Sequence, residues 1–169
     1  MITSNESPLP DRAKIDVEPL LEAWKLVRDF QIAMGEPAPE LPGSLDGERR
    51  KLRADWMREE LSEFIGADVL VDQVDSIIDL IYFALGTLCE MGVPPHEAFN
   101  AVHAANLRKL GEDGRPLFST RGRIKKPEGW LGPETEIGEY LDRLKFTSCD
   151  ADQSSTVGSA SVSQRARDQ

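Results

Sequence analysis

Apolar residues recur at three- and four-residue steps through four stretches of this chain, with polar residues between them. In VEPLLEAWKLVRDFQIAMG, Val17, Leu20, Leu21, Trp24, Val27 and Phe30 share one helical stripe, and Gly35 is placed to end it. EPAPELPG follows as a proline-rich connector. A second helix is predicted from about Leu45 to Ile65, with Leu52, Trp56, Leu61 and Phe64 on or near one face and glutamates beside it. In the third, Leu70, Val74, Ile77, Ile78, Ile81, Leu85 and Leu88 repeat at the same steps; Asp68 is placed to cap it and Gly92 to end it. Pro94 and Pro95 open a fourth, carried by Ala98, Phe99, Val102, Ala105 or Asn106, and Leu110 to Gly111. From GEDGRP onwards the chain reads as loop, with a short final helix around Glu136 to Leu144. No alternating strand pattern competes, so the expected fold class is an all-α bundle.

With 169 residues, 40% of them hydrophobic, the chain can bury one core. The expected organisation is a loose arm over 1–16, a single domain over 17–146 and a disordered Ser-rich tail over 147–169. A formal net charge of -10 argues against duplex nucleic acid or an anionic membrane as main partner, since both are bound through Lys and Arg. The chain has no apolar run of transmembrane length, and MITSNESPLPDR lacks the pattern of a signal peptide, so a cytoplasmic protein is expected. Cys89 and Cys149 support neither a disulfide framework nor a thiolate zinc site.

The acidic residues change the picture most. REELSEF places Glu59, Glu60 and Glu63 along one helix edge, and DQVDSIID places Asp72, Asp75 and Asp79 on the next helix among apolar neighbours. Two carboxylates about 4 Å apart repel by roughly 4 kcal/mol at an effective dielectric near 20, so such an array calls for cations. Oxygen-only ligands suit Mg²⁺ or Mn²⁺. The plain alternatives are a solvated glutamate face paired locally by Arg58, and capture of Asp75 and Asp79 by Lys or Arg from a neighbouring helix. Di-iron chemistry is disfavoured because no Glu-x-x-His motif is present: His96 follows Val93 and His103 follows Asn100.

Positive charge is concentrated further on. NLRKLGEDGRPLFSTRGRIKK holds Arg108, Lys109, Arg115, Arg121, Arg123, Lys125 and Lys126 against Glu112 and Asp113. Basic groups on a Gly-rich segment near an acidic metal cluster suit a di- or triphosphate, and Asn106 and Lys109 lie one turn apart at a helix end. For any single arginine the plain alternative is a solvated loop that balances the acidic bundle. Gln31 and Trp24 are candidates to contact a base, against the alternative that helix aromatics are core.

EExxE on one helix, Asp-x-x-x-Asp within DSIIDLIYFALGTLCEMG, then VHAANLRKLGEDGRP, together resemble the MazG-like, phosphoribosyl-ATP-pyrophosphohydrolase-like superfamily of all-α NTP pyrophosphohydrolases. VRDFQIAMGEPAPELP is similar to that family's opening helix and turn, and the likeness runs from about Val17 to Lys126. The resemblance implies a four-helix core, a homodimer or homotetramer, and Mg²⁺-dependent hydrolysis of a (d)NTP to monophosphate and pyrophosphate, with two or more ions per site. It implies Glu60, Glu63 and Asp79 as metal ligands, Glu59 or Glu60 as catalytic base, and Asn106, Lys109, Lys125 and Lys126 as phosphate-binding groups. Where many relatives carry Glu-x-x-Asp this chain has Ser76 three before Asp79, which leaves Asp75 as the replacement ligand. The short form and polar tail resemble phage members of the MazZ type and point to dGTP or GTP. A dUTP, dCTP or broad-range enzyme of the same fold, and a non-catalytic helical oligomerising or nucleotide-sensing protein, remain as alternatives.

Overall fold

The computed structural model describes residues 16–111, 114–116, 118, 119 and 122–157, with side chains through residue 146. Glu112, Asp113 and Arg121 of the basic segment, most of the N-terminal arm and residues 158–169 of the tail lie outside the described residues, as does the Cys149 side chain. Among the described residues five helices follow one another: α1 (Glu18–Met34), α2 (Gly47–Gly66), α3 (Leu70–Glu90), α4 (His96–Leu107) and α5 (Glu134–Val157). Among the described residues strand pairing is limited to two isolated bridges, Leu110 with Pro116 and Phe118 with Ile124, so the all-α expectation holds.

Helix ends follow local chemistry. Gly35 adopts φ 77° after α1, a left-handed conformation that costs glycine little, and its N–H closes the last turn on Gln31 and Ile32. Asp46, not Leu45, begins the second helix: its carboxylate accepts the Arg49 N–H at 2.8 Å. The expected Asp68 cap on α3 is not formed; Val69 occupies the cap position without a side-chain bond. The fourth helix stops at Leu107 rather than Gly111. The final helix is longer than expected and continues through Val157, into the segment read as tail.

Helices α1, α2 and α3 pack together, with α3 central, while α4 rests on α1 and α5. The core comprises Trp24, Val27, Leu85 and the fully buried Cys89, flanked by Leu20, Leu21, Ala23 and Leu88. At the other end, Tyr140 of α5 is buried, donates to the Pro94 carbonyl at 2.9 Å and stacks edge-on against His96.

The buried face of α2 is not the predicted one. Leu52, Leu61 and Phe64 are exposed, and the stripe turned to α3 is Arg49, Arg53, Trp56 and Glu60. Arg49 donates to both Glu90 oxygens at 2.7 Å, and Arg53 adds a third contact to Glu90 at 3.2 Å. The two arginines occupy this seam because each meets an opposite charge or a carbonyl there. Leu85 of the third repeat is core; Tyr82 is exposed and Phe83 half-buried. Exposed Leu70, Val71, Val74, Ile78 and Ile81 nevertheless leave α3 with a long uncovered apolar row.

Candidate active site

The register of the α2–α3 hairpin positions the acidic residues. Arg49 meets Glu90, Arg53 donates to Thr87 Oγ1 at 3.0 Å and to the Phe83 carbonyl at 2.6 Å, and the Trp56 ring lies 5.8 Å from that of Phe83. Each turn forward along α2 is thus a turn back along α3, which sets Glu60 opposite Asp79 and Glu63 opposite Ser76. The Glu60 acid is pushed above its usual range, first by partial burial and then by the fields of Glu63, Asp79, Glu59 and Asp75. Predicted carboxylates of both helices therefore act on Glu60.

Their exposure differs from expectation. Asp79 and Asp75 stand in solvent despite apolar sequence around them, because Val74, Ile78 and Ile81 are exposed as well. Ser76 is the residue turned inward; its Oγ donates to the Asp72 carbonyl at 2.9 Å. Glu59 and Glu63 are solvated, as the plain alternative has it, but the pairings it called for are not formed. Arg58 pairs with Asp55 instead of the glutamates, and among the described residues no Lys or Arg pairs with Asp75 or Asp79. The donor set fits a hard divalent cation in its chemistry: oxygen-only, accessible and mutually repelling. Among the described residues no three ligating groups converge on one point, so the single chain holds no ready-made cage.

The predicted phosphate-binding residues form a separate cluster. Lys109 Nζ donates to Asn106 Oδ1 at 2.6 Å, and Trp130 lies between Lys126 Nζ, 3.8 Å from its ring centre, and Lys109 Nζ at 5.6 Å. The Trp130 indole is itself fixed by donating to the Ala105 carbonyl at 2.8 Å. Lys125 is exposed nearby in sequence. Helix α4 approaches neither α2 nor α3, so one chain does not bring this cluster to the carboxylates.

The predicted base contacts also part company. Trp24 is core and does not line the cavity that Gln31 enters. That cavity, about 220 Å³ between α1, α2 and α3, is walled by Phe30, Trp56, Tyr82 and Phe83, with Gln31, Arg53 and Gly86 beneath. Trp56 and Phe83 sit one helical turn from Glu60 and Asp79, respectively. Gln31 is buried, yet neither its amide nitrogen nor its oxygen has a hydrogen-bond partner. Sequence reasoning missed Arg53, Glu90 and Gly86; the available signal was the i, i+4, i+7 spacing of Arg49, Arg53 and Trp56.

Residues 27–106 match the phosphoribosyl-ATP pyrophosphohydrolase family, a span from the middle of α1 to the end of α4 that holds every candidate carboxylate and Asn106. The likeness to MazG-like all-α NTP pyrophosphohydrolases is upheld over that span. A crystal structure from Exiguobacterium sp. 255-15, of a "putative NTP pyrophosphohydrolase", is 21% identical and covers 79% of this chain and 99% of its own, with a TM-score of 0.42. No curated protein matches the chain.

Proposed function

We propose that this chain, with its phosphoribosyl-ATP pyrophosphohydrolase match over residues 27–106, hydrolyses nucleoside triphosphates to monophosphate and pyrophosphate with Mg²⁺ or Mn²⁺, preferring dGTP or GTP. The observation that carries this reading is the facing of Glu60 and Asp79 across the α2–α3 seam, with Glu59, Glu63 and Asp75 close enough to raise the Glu60 acid. Glu60, Glu63, Asp79 and Asp75 would hold the cations. When bound, these ions would neutralise phosphate oxygens and acidify the attacking water. Glu59, exposed at the edge of the array, accepts the water's proton. Lys109, held against Asn106, neutralises charge that develops on the leaving pyrophosphate, with Lys125 and Lys126 as further cations.

Association of copies belongs to the same proposal. The exposed α3 row of Leu70, Val71, Val74, Ile78 and Ile81 is apolar surface that a dimer or tetramer would cover, and a second chain offers a route for the Lys109 cluster to reach the carboxylates. A second reading, nucleotide or metal sensing without turnover, draws on Ser76, whose hydroxyl is turned into its own helix instead of supplying a carboxylate.

The test is product analysis with each NTP and dNTP, with and without Mg²⁺ or Mn²⁺. Monophosphate plus pyrophosphate, formed only with metal, is expected, together with a loss of about 100-fold or more in Asp79→Ala and Glu63→Ala. Both positions are exposed, so the variants should fold. Release of diphosphate and phosphate, or full turnover by both variants, would overturn the assignment.

A further inference from the structure

We infer that Arg53 and Gly86 set base selectivity in the cavity beneath Trp56, by making its floor rich in hydrogen-bond donors and so favouring bases with an exocyclic carbonyl beside a ring N–H. The inference rests on the nucleotide reading above and assigns roles to two residues outside the acidic array.

Gly86 lies within α3, one turn before its end, where glycine weakens a helix relative to alanine, so its place calls for a packing reason. The packing supplies one. A Cβ at 86 would lie 2.7 Å from Arg53 Nη2 and 3.4 Å from Gln31 Oε1. The absent methyl is the space in which guanidinium and amide sit side by side. Three of the five guanidinium N–H groups are engaged, by Thr87 Oγ1, the Phe83 carbonyl and Glu90. The Gln31 amide, buried and unbonded, adds two donors and one acceptor. Leaving these groups dry and unpaired is costly, which makes the floor a site for a ligand with complementary polar atoms.

Donors outnumber acceptors there. A lactam edge, C=O beside N–H, places its oxygen among the donors and its N–H on the amide oxygen; guanine, hypoxanthine, uracil and thymine present such an edge. In the pose that seats a lactam, adenine and cytosine would turn an exocyclic NH₂ toward the guanidinium cation and a ring acceptor toward the amide oxygen. Trp56 supplies a flat wall for stacking; Arg53 lies 5.1 Å from its ring centre, and the pair fixes that wall.

Calorimetric titration of the full-length, metal-free protein with dGMP, dIMP and dAMP separates this from catalysis. The two lactam nucleotides should bind alike and about tenfold or more tighter than dAMP, since a site built for a polar edge rejects a ligand that leaves it unpaired. Gly86→Ala, which forces the guanidinium and amide apart, and Gln31→Leu, which removes the amide, should each bring the ratio to within about threefold. Thermal melts of both variants establish that they are folded, and Gln31→Leu keeps the test open if Gly86→Ala is not. Equal binding of dAMP and dGMP, no saturable heat with any nucleotide, or an unchanged ratio in a folded variant would overturn the inference. Turnover without base preference would remove this pocket and leave the proposed reaction standing; selective binding without turnover would do the reverse.

Discussion

Replacing Glu90 by glutamine removes the charge that anchors the α2–α3 seam while keeping the side chain's shape. The Glu90 side chain is 1% exposed, and it satisfies Arg49, one quarter exposed, and Arg53, 6% exposed. Arg49 keeps Glu36 at 2.6 Å and can rehydrate, so its share of the loss is small. Arg53 cannot: its guanidinium would remain enclosed without a carboxylate, and breaking a buried pair from one side costs about 3–5 kcal/mol. The glutamine carbonyl recovers about one ordinary hydrogen bond, roughly 1 kcal/mol. The expected net loss is about 2–4 kcal/mol, which in a chain of this size lowers Tm by roughly 5–15 °C. Urea unfolding at fixed protein concentration should show a lower midpoint with unchanged slope, because the folded surface is the same. Glu36→Gln, at an exposed carboxylate, is the control and should cost less than about 1 kcal/mol. If Glu90→Gln stays within about 0.5 kcal/mol of the parent, or costs no more than Glu36→Gln, the seam is not held by its buried charges.

Three further outcomes follow from the same structure. Glu60 binds its proton more tightly folded than unfolded, so metal-free stability should rise as pH falls from neutral toward the ordinary carboxylate value of 4.5, and the slope should flatten in Glu60→Gln; a flat wild-type profile over that range would count against mutual repulsion in the array. Gly92→Ala should lose about 2 kcal/mol or more in chemical denaturation: Gly92 sits at φ 65°, and an added Cβ would press on the Leu41 carbonyl, backbone that cannot swing aside. Burial pushes the Cys89 thiol up to about 11, so in a Cys149→Ser background a thiol reagent should label the protein only as fast as it unfolds; prompt labelling in native buffer would show that the α1–α3 core opens.

The sequence by itself determined the helices and part of the candidate site, because both depend on spacing within one helix. The three- and four-residue repeats mark α1 through α4; Gly35 ends α1, and a following glycine marks the exit of α3. The same spacing put Glu59, Glu60 and Glu63 on one edge and Asp75 and Asp79 on another. Only the tertiary structure decided which edge of each helix would be enclosed. Leu52 and Leu61 looked like the inner face of α2, yet Arg53 is inside, since Glu90 and the Phe83 carbonyl, some thirty or more residues away, satisfy it. It also parted Trp24 from Gln31 and the Lys109 cluster from the carboxylates. A helical repeat records the phase of side chains around one axis. The partners that make a charge tolerable in the interior, or join two helices into one site, lie on other helices, and their register emerges only when the helices pack.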